Sequence, residues 1–302
     1  MLCAAIDIGS NTTRLLVAEL VNRQLKKVME QRAYTRINKA LGKKGEILPE
    51  KVEEVAEVVA TQVRLARELG AESIRAVATA AVREASNGGK VARTVGETAG
   101  VEIDVLSDEE EGRLSFIGAT KTLGHPVSGQ VGVVDVGGGS TEVILGSTQG
   151  GAQEVRSWKV GSGVLADELL ASDPPSAAEI RKVRDRIDDV FKGVEVGRPA
   201  QAVAVGGSAT SLRKLVGAVL EYETLERGIR VLCGEPAADV ARRFELDPER
   251  VRILPSGVLL LEKVSELLGQ PLQIGKGGLR EGVILDGLNG SADGSPPERV
   301  AA

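Results

Sequence analysis

The chain has 302 residues, 42% hydrophobic and 27% charged, with a formal net charge of −5. That length fits two domains of ordinary size better than one core, and the negative balance argues against a general nucleic-acid binder, which carries a basic field. Two cysteines and a single histidine exclude a disulfide framework, a multi-histidine metal centre and a Ser-His-Asp triad.

In chain order, the N-terminus MLCAAIDIGS lacks a basic n-region, and its apolar stretch is one strand long, so no signal peptide is expected. The longest later apolar run, Val258–Leu261, is far short of a membrane span. With cysteines too few for disulfides, these features predict a cytoplasmic protein without membrane or nucleic-acid partners. Residues 5–17, AIDIGSNTTRLLV, predict a strand, a small-residue turn and a second β-branched strand.

A helix is predicted over 49–69, where Val52, Val55, Val59, Val63 and Ala66 keep the helical period and Gly70 follows as its cap. A strand over 73–77, a helix over 90–99 and an alternating strand over 101–106 come next. Ser107 with Glu110 forms a capping box for a helix running toward Thr120.

After a loop over 124–130, residues 133–145 echo the first segment. Offset by 128 residues, Asp7 meets Asp135, Gly9 meets Gly137 and Thr13 meets Thr141. A repeat of so long a period means two similar domains. Helices are predicted over 177–191, 208–219, 236–244, 257–268 and 279–288, with strands over 202–205 and 272–274. The predicted domains are 1–126 and 127–288, the last helix being free to pack back on the first domain. The tail 289–302, rich in Gly, Ser, Pro and Ala, predicts disorder. Each domain opens on a hairpin, which favours mixed α/β domains over a Rossmann sheet, whose glycine turn leads into a helix.

No GxxxxGK[ST] occurs, and neither cysteine is followed six residues later by arginine. Phosphate chemistry would therefore run on carboxylates, backbone N–H groups and a metal ion. The two Asp-x-Gly turns suit that chemistry, because only small residues let several N–H donors approach one phosphate. The candidate phosphate-binding residues are Gly9, Ser10, Asn11 and Thr12 in the first turn, and Gly137, Gly138, Gly139, Ser140 and Thr141 in the second. A third turn, Gly206-Gly207-Ser208, follows a strand and opens a helix, where the helix dipole favours anions. Its plainer reading is a βα turn with Ser208 as N-cap.

These segments resemble the exopolyphosphatase/guanosine pentaphosphate phosphohydrolase family of the actin/sugar-kinase/heat-shock ATPase superfamily. The resemblance rests on six motifs in order: residues 7–11, ATAAVREASN at 78–87, SDEEEG at 107–112, DVGGGSTE at 135–142, GGSAT at 206–210 and GLREG at 278–282. It implies an α/β fold of two actin-like (ribonuclease H-like) domains flanking a central cleft. It also implies an enzyme that hydrolyses the terminal phosphoanhydride of inorganic polyphosphate, releasing orthophosphate. The alternatives are 5′-phosphate removal from guanosine pentaphosphate, a non-catalytic sensor of alarmone or polyphosphate, and a superfamily kinase. The family also suggests a homodimer.

By motif position, Glu111 matches the family's water-activating glutamate, Glu142 its second acidic position and Asp135 its holder of a divalent metal, Mg2+ or another cation. Glu110 reads as the capping-box partner and Asp7 as a strand terminator. Arg83 has two open readings, a phosphate fork or a surface arginine paired with Glu84 or another neighbour. Where many members have arginine after the metal loop, this chain has Val164. With Arg14, Arg83, Lys159, Arg213 and Arg280 scattered through separate motifs, the sequence predicts distributive action on short chains.

Overall fold

The computed structural model describes residues 1–292 apart from Arg23 and Lys43. The first half contains β1 (Leu2–Ile8), β2 (Thr13–Val21), β3 (Gln24–Ala33), a 3-10 turn over Ile37–Ala40, α1 (Pro49–Glu68), β4 (Ser73–Ala78), α2 (Ala80–Arg83), α3 (Gly88–Ala99), β5 (Ile103–Val105) and α4 (Asp108–Lys121). The second half contains β6 (Val131–Val136), β7 (Thr141–Ser147), β8 (Gly151–Trp158), α5 (Ser162–Leu169), α6 (Ala177–Val190), β9 (Gln201–Val205), α7 (Gly206–Val216), β10 (Val219–Leu220), α8 (Tyr222–Leu232), α9 (Ala237–Phe244), α10 (Pro248–Leu268), β11 (Leu272–Ile274) and α11 (Leu279–Ala292).

Both halves open on an antiparallel hairpin whose first strand also pairs in parallel with a later one: β1 with β2 and β4, and β6 with β7 and β9. The resulting sheets run β3-β2-β1-β4-β5 and β10-β11-β9-β6-β7-β8. β1 and β6 are central and covered on both faces, which explains their nearly unbroken apolar runs. On one face of the first sheet, Ile6, Ile8 and Leu15 pack against Val55, Val59 and Val63 of α1. On the other, Ala5, Leu16 and Val77 meet Leu114 of α4 and Leu279, Val283 and Ile284 of α11.

α4 and α11 form the layer shared by the two sheets. Phe116 and Ala119 of α4 pack on Val131, Val133 and Ile144 of the second sheet. Contact between the two helices is backbone to backbone: a Cβ on Gly118 would lie 1.9 Å from Gly278 O, and one on Gly282 would lie 1.8 Å from Leu114 O. α4 opens on Ser107, whose side chain accepts from Glu110 N while the Glu110 side chain accepts from Ser107 N. This capping box stabilises the start of the helix by about 1 kcal/mol and fixes the position of its first turn. Among the described residues no helix is long and apolar enough to cross a membrane.

Several expectations need correction. α10 begins at Pro248, with Asp247 as its cap, and passes straight through Pro255. Proline costs about 3 kcal/mol in a helix interior, but α10 is the buried centre of the second-half core, where Leu254, Val258 and Leu261 sit, and that packing outweighs it. α7 begins at Gly206, so Ser208 lies inside the helix and is not its cap. The strand over 101–106 contracts to β5. β3, α2, β8, α5, β10 and α8 have no counterpart among the predicted elements. Residues 289–292 of the expected tail continue α11, and 293–302 lie outside the described residues.

Candidate active site

Each sheet ends its first strand in the same closed turn. Gly9 N–H donates to Thr12 O at 3.1 Å, and Gly137 N–H donates to Ser140 O at 3.0 Å. The carbonyls of the second turn are drawn away from the cleft by the start of α5: Gly137 O accepts from Ser162 N, and Gly138 O accepts from the N–H groups of Gly163 and Val164. Val164, at the departure from the family pattern, thus contributes its backbone here. The turns meet across the cleft, since a Cβ on Gly139 would lie 2.5 Å from Ser10 Oγ and one on Gly138 would lie 3.1 Å from Asn11 Cβ. They close over a cavity of about 280 Å³.

The third turn completes one wall. Gly206 has φ +80, and a Cβ there would stand 2.2 Å from Asp135 Oδ1. Left-handed backbone and close approach both demand glycine. The N-terminus of α7 consequently points into the cavity beside Asp135.

Asp7, Glu111, Asp135 and Glu142 all line the cavity. Asp135 and Glu142 are cross-strand partners on β6 and β7. Ser115 Oγ donates to Asp135 Oδ2 at 3.3 Å, and Ser157 Oγ donates to Glu142 Oε1 at 3.1 Å. Burial is the main force on all four carboxyls, and it favours the neutral form. It pushes Glu111 up to about 7 against the opposing pull of Arg83, with Asp7 and Asp135 adding to the rise. Asp135 is pushed up to about 6 against the pull of Arg14. Glu142 stands well above the ordinary carboxylate range, through burial and then the charges of Glu111 and Asp135, and Asp7 is raised by burial as well.

Cations line the same cavity. Arg14 pairs across the β1–β2 ladder with Asp7 and across the β2–β3 ladder with Arg32. A Cβ on Gly207 would lie 2.4 Å from an Arg14 nitrogen and 2.7 Å from an Arg250 nitrogen, so both guanidiniums crowd the start of α7. Burial, then Arg250, lowers Arg14 to about 9. Burial, then Arg32, lowers Arg250 to about 10. Arg250 Nε is buried without a hydrogen-bond partner among the described residues. Such crowding of like charge at a helix N-terminus is unfavourable unless an anion joins it.

Of the sequence candidates, Gly9, Ser10, Asn11, Thr12, Gly137, Gly138, Gly139, Ser140, Gly206, Gly207, Glu111, Asp135 and Glu142 line the cavity. Three do not. Thr141 is fully buried and its hydroxyl donates to Val160 O at 2.6 Å. Ser208 is fully buried and its hydroxyl bonds Ser162 Oγ at 3.4 Å. The Arg83 guanidinium serves Leu106 O, Glu111 and Asp108, which sets aside its pairing with Glu84. Glu84 instead meets Lys159 at 3.3 Å.

Arg14 and Arg280, expected to be scattered, meet in the cavity wall with Lys27, Arg32, Arg250 and Lys276. The last four were missed. Reading 24–33 as a strand would have put Arg32 beside Arg14, and reading Asp247-Pro248 as a helix start would have put Arg250 in a first turn. Among the described residues no group of three or more His, Cys, Asp or Glu converges in a way that could hold a metal ion. Any cation here would rest on one or two carboxylates and complete its shell with phosphate oxygens and water, as magnesium does. The all-oxygen donor set, with its protonation driven up by burial and mutual charge, fits such an ion.

A family model described as the Ppx/GppA phosphatase family matches residues 16–290. Exopolyphosphatase 1 of Mycobacterium leprae is 29% identical, across 98% of this chain and 92% of that protein. Exopolyphosphatase 2 of Mycobacterium tuberculosis is 28% identical, across 94% and 96%. The Aquifex aeolicus Ppx/GppA family member superposes with a TM-score of 0.80 at 27% identity, covering 96% of this chain and 98% of its own. An exopolyphosphatase from Cytophaga hutchinsonii gives a TM-score of 0.84 at 20% identity, covering 98% and 99%, a likeness of fold alone.

Proposed function

The chain belongs to the Ppx/GppA phosphatase family, has its actin-like fold, and on that premise we propose that it is an exopolyphosphatase, hydrolysing the terminal phosphoanhydride of inorganic polyphosphate to release orthophosphate. The observation that carries this reading is the chemistry of the cavity lining. Buried carboxylates, the two phosphate-type turns and the cations Arg14, Lys27, Arg32, Arg250, Lys276 and Arg280 line one cavity, where Arg14 and Arg32 follow Asp7 across neighbouring strands. A terminal phosphate held between the turns would leave the rest of its chain on Arg14 and Arg250.

In this reading Glu111 accepts the proton of the attacking water. A base poised near neutrality suits that task, and its location at the first turn of α4 faces it into the cavity. As the new P–O bond forms, the bridging P–O bond breaks and its electron pair passes to the shortened chain. Backbone N–H groups and the guanidiniums stabilise that charge, since phosphoryl transfer is served mainly by positioning and electrostatics. Asp135, with Glu142 beside it, would hold magnesium or another divalent cation, which when bound neutralises phosphate charge.

The test is orthophosphate release from short and long polyphosphates, guanosine pentaphosphate and ATP, with and without magnesium. Cation-dependent release from inorganic chains supports the proposal. Turnover of guanosine pentaphosphate in preference to every inorganic chain would replace the substrate, and no release from any of them would end the enzymatic reading.

A further inference from the structure

Strand register makes the cationic row directional. Asp7, Arg14 and Arg32 are lateral partners on β1, β2 and β3, and neighbouring strands stand about 4.8 Å apart. The row therefore runs on the order of 10 Å from Asp7 to the edge strand β3. Two residues along β3 from Arg32, on the same face, stands Glu30, opposite Leu16. Its Oε2 accepts from Lys27 Nζ at 2.7 Å and its Oε1 accepts from Arg280 Nη2 at 2.9 Å. Both cations line the cavity.

Resting on the reading of this cavity as a polyphosphate site, we propose that Glu30 is a specificity-determining residue: its carboxylate occupies two cavity cations, Lys27 and Arg280, and ends the track available to a phosphate chain beyond Arg32. Arg280 cannot swing out to meet a longer chain, because its other terminal nitrogen donates to Leu15 O at 3.3 Å and its side chain is only 15% exposed. Lys27, 61% exposed, also pairs with Glu30. A chain extending beyond Arg32 thus meets an anion where it would otherwise gain two cations. Short chains, which end within the row, do not reach it. The net −5 charge of the protein supplies no general attraction to compensate.

A plainer role for Glu30 is to tie edge strand β3 to α11, and the experiment separates the two. KM is measured for tripolyphosphate and for a long polyphosphate in wild type, Glu30→Gln, Lys27→Gln and the double variant, with thermal midpoints for each. Removing the carboxylate should lower the long-chain KM by about tenfold and steepen its salt dependence, as each newly neutralised phosphate adds affinity. The tripolyphosphate KM should move by less than about twofold. The double variant should lose much of that gain, because Lys27 supplies part of it. An active Glu30→Gln enzyme with an unchanged ratio of the two KM values, whether or not its midpoint shifts, overturns the inference alone, as does an equal gain for both chains. Wild-type protein that releases phosphate from neither chain overturns the functional reading and this inference together.

Discussion

Arg83 Nη1 lies 2.8 Å from Glu111 Oε2, and the same nitrogen donates to Leu106 O at 2.8 Å. The second terminal nitrogen bonds Asp108, so the guanidinium joins the end of α2 to the first turn of α4 and fixes the carboxylate from outside the cavity. Arg83 is therefore a positioning residue for Glu111. Arg83→Ala should lower kcat by roughly tenfold or more with a smaller change in KM, since only the reacting step loses its geometry. The lost positive charge should also move the acid limb of the kcat profile to higher pH, and Arg83→Lys should restore part of both. A raised KM with kcat intact would instead put Arg83 on the substrate.

Glu111→Gln should keep the fold and substrate binding while lowering turnover by at least ~10²-fold, the usual scale for losing a general base. Near-wild-type turnover at saturating magnesium would remove Glu111 from the reaction.

Asp135→Asn should raise the magnesium concentration needed for half-maximal activity, because a neutral amide is a poorer ligand for a hard cation. Calorimetric titration with magnesium checks this independently of turnover. An unchanged titration would leave Asp135 with its turn alone.

The buried carboxyls make a statement about stability. Glu111 at about 7 and Asp135 at about 6 lie above their values in an unfolded chain, so the folded protein holds these protons more tightly. The stability they confer is complete below the unfolded value of about 4 and is lost as pH rises through 6 and 7. Metal-free protein should therefore be less stable at pH ~8 than at pH ~5, by an amount on the order of 4 kcal/mol, and magnesium should narrow the gap by favouring the ionised carboxylates. A midpoint that rises over that interval without metal would contradict the cluster.

Gly206→Ala should destabilise the protein by about 1–3 kcal/mol, the usual cost of left-handed strain at a non-glycine residue. It should also impair turnover more than stability alone explains, because the new methyl meets Asp135 Oδ1. Chemical denaturation alongside kinetics at low temperature separates the two effects.

The turns and carboxylates of the cavity are largely readable in the sequence and most of its cations are not. The Asp-x-Gly turns announce themselves because a closed glycine turn between two β-branched strands is local chemistry, and their echo over 128 residues ties them together. The capping box of Ser107 and Glu110 likewise places Glu111 by local rules. Arg32 and Arg250 carry no such mark, since one needs the β2–β3 register and the other a helix that ignores its own proline. Ser208 was misplaced because α7 starts at a left-handed glycine and not at a side-chain cap. Thr141 shares the register of the duplication, yet its hydroxyl is spent on Val160 O.

The close packing of α11 against α4 and β1 also has a consequence for how the chain is made. One face of the first sheet is covered by Leu279, Val283 and Ile284, which leave the ribosome more than two hundred residues after the strands they protect. Until then only Leu106 and Leu114 are available to shield Ala5, Leu16 and Val77 on that face. Contacts of such sequence separation slow folding and lengthen the exposure of sticky intermediates. A truncation ending before residue 279 should accordingly emerge as a chaperone client, even though every residue of the two phosphate turns is present.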